Sequence, residues 1–363
     1  MSTEPIVVDG HEDIAWNYYN NGRDFLQSAL AARAQERGSD VAHYYGARMT
    51  GLPESLLGRV ALIVGTIFVA PQASAFLPDE KVLYATTEEA TAWGWRQLDY
   101  YHQLAERSEK IALVRTQSDL DAVLSTWAAG TTLADHQVGI VVGMEGADPI
   151  PTPTHLAEWH ARGLRVLGPA WTGTRYSGGT RAPGPLTALG RELLDAMAEL
   201  GMVLDLAHMA PQAMREALDR YEGPLFASHA NPLKFRPEAT TRSLSDELIR
   251  RIAERDGAVG IVPFNLFLVP DWQLGDGKDA ATLQTVVAAI DHVCQVTGSA
   301  RHVGLGSDFD GGFGAESAPQ GLDTVADLLS LGEPLRQRGY SAEDVAAILG
   351  GNFLRILRAG LPA

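Results

Sequence analysis

Cysteine is almost missing from this chain. Cys294 is the single one in 363 residues, so no disulfide can close within it. It lies in the apolar periodic run Val286 to Cys294, where a buried, inert thiol on a helix is expected. Basic residues are in deficit: 29 Lys and Arg against 45 Asp and Glu leave a formal charge of −16. That balance argues against nucleic acid or an anionic membrane surface as partner. No apolar run is long enough to span a bilayer. No charged stretch leads into an apolar one near Met1, so no signal peptide is expected and the cytoplasm is the expected location. Internal repeats, low-complexity tracts and linkers are also lacking. With 45% hydrophobic residues there is material for a sizeable core, and one domain over residues 1–363 is expected.

What is present is a recurring pair: a short β-branched run, then a helical pattern. The runs are 6–8, 60–70 (VALIVGTIFVA), 138–143 (VGIVVG), 164–167, 202–206, 225–228, 258–262 and 303–306. A minor strand is expected at 111–114. Helices are expected over 24–37, 86–109, 155–162, 186–200 with Gly201 as its C-cap, 210–221, 245–255 and 280–297. Ser243 or Ser245 can cap the helix over 245–255, whose acidic first turn suits its dipole. Two more helices, 342–349 and 353–358, are expected to be broken at Gly350-Gly351. Eight short strands alternating with helices point to an α/β fold, a (β/α)8 TIM barrel. An open doubly wound sheet is disfavoured, because no Gly-rich phosphate loop follows the first strand.

Chemistry in such a barrel sits at the C-terminal strand ends. Strand one ends in His11 and Asp13, whose spacing puts both side chains on one side of an extended strand. Strand three ends in Glu145, strand five in Asp205 and His208, strand six in Ser228-His229, and strand eight in Asp308 and Asp310. Each is ordinary alone, since a His after a strand is more often a satisfied loop residue. Together they make a mixed N/O donor set for a divalent metal. The ligand count suggests two ions: His11, Asp13, His208 and His229 as terminal ligands and Glu145 as a bridge. Ions about 3.5 Å apart can activate a shared water and polarise a carbonyl. Asp308 is left over as a general base that can then protonate a leaving amine. His43, His102, His136, His155, His160, His292 and His302 fall at no predicted strand end, and surface or helix positions account for them.

The segments 9–13 (DGHED), 143–146 (GMEG), 185–208 (PLTALGRELLDAMAELGMVLDLAH), 228–229, 304–311 (GLGSDFDG) and 350–355 (GGNFLR) resemble, in order, those of the renal (membrane) dipeptidases. These are zinc peptidases of the amidohydrolase superfamily. The resemblance implies two Zn²⁺ per chain, one held by His11, Asp13 and Glu145, the other by Glu145, His208 and His229. It implies Asp308 as the acid/base and Arg242 as the residue binding a substrate carboxylate. It also makes a homodimer plausible.

Two departures concern the substrate pocket. Trp171 stands where the family has a His facing the scissile carbonyl, and indole offers one N–H in a different place. After strand seven the chain reads Val262-Pro263-Phe264 where the family has Asn-Phe-Tyr. Arg175 and Tyr176 are candidates to replace the lost donor. The expected activity is hydrolysis of a small dipeptide by a metal-bridging water with Asp308 as acid/base. The alternatives are another small amide (an N-acyl amino acid, a lactam, a dipeptide-like metabolite) or a catalytically silent metal-bound scaffold.

Overall fold

The computed structural model describes residues 5–75 and 79–363. Eight parallel strands form its centre: β1 (Val7–Glu12), β2 (Val60–Phe68), β3 (Val138–Glu145), β4 (Leu164–Gly168), β5 (Val203–Asp205), β6 (Leu225–Phe226), β7 (Val259–Ile261) and β8 (Val303–Leu305). They lie in the order β7-β8-β1-β2-β3-β4-β5-β6. A parallel bridge from Ala227 to Val259 joins the last to the first, with Gly260 N donating to Ala227 O at 2.8 Å. The fold is therefore a (β/α)8 barrel. Every residue of β1, β2 and β3 is buried, as expected for strands covered on both faces. The short strand Ile111–Leu113 pairs with the first half of β3, and β4 takes over along its second half.

The helices between strands begin at polar caps. Thr86 forms a capping box with Glu89 ahead of the helix Thr87–Arg107, and Ser245, rather than Ser243, caps Asp246–Glu254. The helix expected over 24–37 starts only at Ala29. Here tertiary contacts override the local pattern: Glu54 accepts from Ala29 N at 3.0 Å and from Ser28 Oγ at 2.5 Å, which fixes the helix start.

The closing segment corrects another expectation. Gly350-Gly351 does not break the chain's final helical stretch. Ala342–Ala346 runs through a wider π-type turn, Ala347–Gly351, into Asn352–Ala359. Glycine is required for approach, because a Cβ on Gly350 would stand 2.9 Å from the Ile6 carbonyl oxygen. This approach seats Phe353, 1% exposed, inside the barrel floor. A Cβ on Gly10 would lie 2.3 Å from the Phe353 ring. Asn352 Nδ2 ties the helix to the Ala300 and Val303 carbonyls, both at 2.7 Å.

Phe353→Ala empties the barrel floor and is expected to lower the unfolding free energy by about 3–5 kcal/mol. Urea denaturation followed by circular dichroism checks this. A loss well under 1 kcal/mol would show that the floor is filled some other way.

Candidate metal centre

Six buried or nearly buried side chains meet at the C-terminal mouth of the barrel. His11 comes from β1 and Asp13 from just beyond it; Glu145 is the last residue of β3. His208, His229 and Asp308 lie in the loops after β5, β6 and β8. The Glu145 carboxylate has two faces. Its Oε1 stands 3.0 Å from His208 Nε2 and 3.3 Å from His229 Nε2, and its Oε2 stands 3.9 Å from His11 Nε2. His11 Nε2 is also 3.7 Å from Asp13 Oδ1 and 3.9 Å from Asp308 Oδ1. Two groups are spaced to hold an ion: His11, Glu145 and His229, and His11, Asp13 and Asp308.

Backbone geometry aims these side chains. His208 (φ 63°), Asp308 (φ 53°) and Asp310 (φ 65°) all occupy the left-handed region that side-chain-bearing residues seldom adopt. Such strain persists only where the surroundings over-determine it, and two further carboxylates supply the determination. Asp9 Oδ1 accepts from Ser307 N at 2.7 Å and His11 N at 3.2 Å, tying β1 to the loop that carries Asp308. Asp205 Oδ1 accepts from Ala207 N at 3.0 Å and Ser228 N at 2.8 Å, tying the His208 loop to the His229 loop. Asp310 turns away from the centre. It accepts from Met49 N and Thr50 N, both at 2.9 Å, and from Thr50 Oγ1 at 2.6 Å. So of the carboxylates at strand ends, Asp205 and Asp310 brace the loops.

Three hydroxyls, to which the sequence reading assigned no role, orient the histidines. Thr66 Oγ1 lies 3.3 Å from His11 Nδ1, Thr180 Oγ1 lies 2.9 Å from His208 Nδ1, and Ser228 Oγ lies 2.7 Å from His229 Nδ1. With Nδ1–H donating to the hydroxyl, His208 and His229 keep the Nε2 lone pair toward the centre, and His11 does so once its second proton is displaced. Ser228 adjoins its histidine in sequence. Thr66 reaches its histidine from β2 and Thr180 from the loop after β4, and no sequence spacing marks them.

The electrostatics suit a cation. Burial, reinforced by Arg242 and neighbouring imidazoles, holds His208 and His229 well below the usual histidine range, so both are neutral donors. Burial also works against charge on His11, but Glu145, Asp13 and Asp308 outweigh it and push it up to about 10. Glu145 is raised well above the usual carboxylate range, by burial first. Burial, helped by Asp13, lifts Asp308 up to about 7 against the opposing pull of His11 and Arg242. His11 Nε2, Asp13 Oδ1 and Glu145 Oε1 are buried with no hydrogen-bond partner among the described residues. Unsatisfied donor atoms converging in a dry site fit a bound divalent ion.

A cavity of about 560 Å³ opens above the centre, with Asp13, Glu145, His208 and Asp308 on its floor. Arg242 lines it, donating from Nη1 to the His229 carbonyl at 2.8 Å, with its guanidinium 5.1 Å from the Phe267 ring centre. Trp171 lines it too, edge-on to Phe68 at 4.8 Å, as does Phe264, stacked on Phe313 at 4.1 Å. Arg175 and Tyr176 do not line it, which corrects their expected place in the substrate pocket. Arg175 is held by the Asp148 carboxylate (3.3 Å) and by the carbonyls of Asp148, Ile150 and Pro151. Tyr176 is fully buried, with its hydroxyl on the Ile150 carbonyl at 2.5 Å. Both lock the loop after β4 to the loop after β3. Cys294 is buried and its thiol is pushed up to about 11 by that burial. Among the described residues no helix is long and apolar enough to cross a membrane.

The family model described as membrane dipeptidase (peptidase family M19) matches residues 1–360. The chain is 33% identical over 227 residues to an uncharacterized dipeptidase of Schizosaccharomyces pombe, covering 61% of this chain and 53% of that one. It is 31% identical over 227 residues to a dipeptidase of Aspergillus oryzae, covering 61% and 51%. The chain thus spans about half the length of these curated relatives. Among solved structures, a dipeptidase described as a metallopeptidase of family M19 superposes with a TM-score of 0.78 at 25% identity, over 99% of this chain and 100% of that one. A metallopeptidase from Rhodobacter sphaeroides, liganded with a phosphinate mimic of L-Ala-D-Ala, shares the fold with a TM-score of 0.78 at 23% identity, over 98% and 99%.

Two outcomes follow from the geometry. A divalent cation must displace the protons that the ion-free site holds on His11, below about 10, and on Asp308, below about 7. Affinity is therefore expected to rise with pH until those protons are gone, with net proton release on binding. Isothermal titration calorimetry in buffers of different ionisation enthalpy reads that release; pH-independent affinity would contradict it. Thr180→Val removes the partner of His208 Nδ1 and is expected to weaken metal binding by about 10-fold or more. Thr180→Ser is expected to restore it in the same competition titration with a chromogenic chelator.

Proposed function

The chain belongs to the membrane dipeptidase family, peptidase family M19, and from that premise we propose that it is a metal-dependent dipeptidase, hydrolysing the amide bond of a small dipeptide. The observation that carries this reading is the two-faced Glu145, with one oxygen toward His208 and His229 and the other toward His11. In this reading His11 and Asp13 hold one divalent ion with Glu145, and His208 and His229 hold a second with it. Zinc suits this mixture of imidazole and carboxylate. Bound there, such ions supply Lewis acidity, which eases deprotonation of water and polarises a carbonyl.

The chain's own groups do the rest. Asp308 stands 3.9 Å from His11 Nε2 on the cavity floor, where its carboxylate can reach a water held at the centre and exchange a proton with it. It takes a proton from the attacking water as the new C–O bond forms. It then delivers that proton to the amide nitrogen as the C–N bond breaks, and two amino acids leave. Arg242 has Nη1 engaged by the His229 carbonyl while its guanidinium lines the cavity, which suits it to anchor the substrate's carboxylate. Trp16, Phe68 and Phe264 line the cavity with buried apolar surface, which lowers the local dielectric and strengthens each of these interactions.

A second reading, in which the substrate is an N-acyl amino acid or a lactam, draws on Trp171 and Phe264 lining the cavity. Zinc-loaded protein assayed for amine release on dipeptides, N-acetyl amino acids and a β-lactam separates the two. For the proposed chemistry, Asp308→Asn is expected to lower kcat by about 10²–10⁴-fold with metal content by mass spectrometry unchanged. Full activity in that variant would remove Asp308 from the reaction.

A further inference from the structure

The cavity above the metal centre is built with two apolar walls that come from opposite sides of the barrel mouth. One is made by Trp16, from the helix Ile14–Asn21 after β1, Phe68, the last residue of β2, and Trp171, from the loop after β4. Trp16 and Phe68 are buried, and Phe68 stands between the other two rings, at 6.1 Å from Trp16 and 4.8 Å from Trp171. The other wall is made by Phe264, Leu266, Phe267 and Leu274, all from the segment after β7. In the strand order β7 lies across the barrel from β3, and β2 and β4 flank β3. The polar centre lies between the walls, on the cavity floor.

The carboxylates lining this cavity are Asp13, Glu145 and Asp308, and all three belong to the centre itself. Neither wall offers a carboxylate to a basic side chain. Leu274 adds a separate observation. Five large hydrophobic side chains are strongly exposed among the described residues, and Leu274, at 70%, is the most exposed of them and lies on the cavity rim. Its loop is pinned below it, with Trp272 buried and its Nε1 donating to the Gly277 carbonyl at 3.0 Å. An apolar side chain held in water at a cavity mouth is positioned to cover an apolar ligand.

We infer that this site is built for dipeptides with a bulky apolar side chain on each residue. This deepens the dipeptidase reading and rests on it. The polarity of binding follows from Arg242. Its guanidinium stands over Phe267, so a carboxylate anchored there brings the C-terminal residue against the β7 wall, under Leu274. The scissile amide then lies over the centre, and the N-terminal side chain meets Trp16, Phe68 and Trp171. Small residues leave both walls wet, and basic ones meet no countercharge on either wall, where the charged neighbour is Arg181, its guanidinium 5.6 Å from the Trp171 ring centre.

The test varies one side chain at a time. Zinc-loaded protein is assayed on Ala-Ala, Phe-Ala, Ala-Phe, Phe-Leu and Lys-Ala. Phe-Leu is expected to exceed Ala-Ala in kcat/KM by roughly 30-fold or more, and Lys-Ala to gain nothing over Ala-Ala. Trp171→Ala is expected to cut the Phe-Ala to Ala-Ala ratio about tenfold and spare the Ala-Phe to Ala-Ala ratio. Leu274→Ala, at an exposed position that folding does not need, is expected to cut the Ala-Phe ratio instead. Equal rates for Phe-Leu and Ala-Ala, or ratios unmoved by both variants, overturn the inference while leaving the dipeptidase reading intact. Binding of Phe-Leu and Ala-Ala to metal-free Asp308→Asn protein, by calorimetry, covers the remaining case. If no dipeptide is cleaved, the dipeptidase reading fails. Tighter binding of Phe-Leu then supports the apolar site, and equal binding overturns it.

Discussion

The structure depends on one electrostatic constraint: Asp13, Glu145 and Asp308 are brought together in a site that water scarcely reaches. Carboxylates that close are stable in a dry environment only if protonated or matched by positive charge. His11 and Arg242 supply part of the match. The rest of the mouth is organised to hold the cluster. Asp9 and Asp205 fasten neighbouring loops, three hydroxyls orient the imidazoles, and His208 and Asp308 are held in left-handed backbone. The left-handed backbone at His208 and Asp308 costs of order 1 kcal/mol or more at each residue, which these hydrogen bonds and the barrel beneath must offset.

The barrel can do so because nothing in it is left to chance at the other end. Phe353 fills the floor and the glycines facing it make room, so the motif GGNFLR supports from beneath the layer that carries His11. Activity at one end and packing at the other divide the labour in the way parallel barrels permit. The same separation leaves the walls of the cavity free to be apolar at Trp171 and Phe264 while the carboxylates and imidazoles gather beneath them.

Much of this was legible in the sequence, and what was not has physical reasons. Strand ends could be read because buried parallel strands are continuous apolar runs, and a His or carboxylate interrupting one is conspicuous. That is how His11, Glu145, His208, His229 and Asp308 could be placed at one mouth. Arg175 and Tyr176 misled because nearness in sequence to Trp171 does not say which way a loop folds. Asp148 and the carbonyls around it claim both side chains. The late start of the helix at Ala29 was hidden because Glu54, distant in sequence, fixes it. The roles of Thr66 and Thr180 were invisible for the same reason: their partners are set by tertiary structure. Gly350-Gly351 looked like a helix break because glycine lowers helix propensity, whereas its small size is what the approach to β1 requires.

The hydrogen bond from Ser307 to Asp9 spans 298 positions of chain. It joins the first strand to the eighth, and His11 and Asp308 stand on either side of it. Closing so long a loop costs entropy before any contact rewards it, and folds dominated by such contacts form slowly. The surroundings of His11 are therefore complete only when the first strand and the eighth have met. A tightly held ion reports that the barrel has closed, and it binds the closed state in preference to every open precursor, drawing the population toward it.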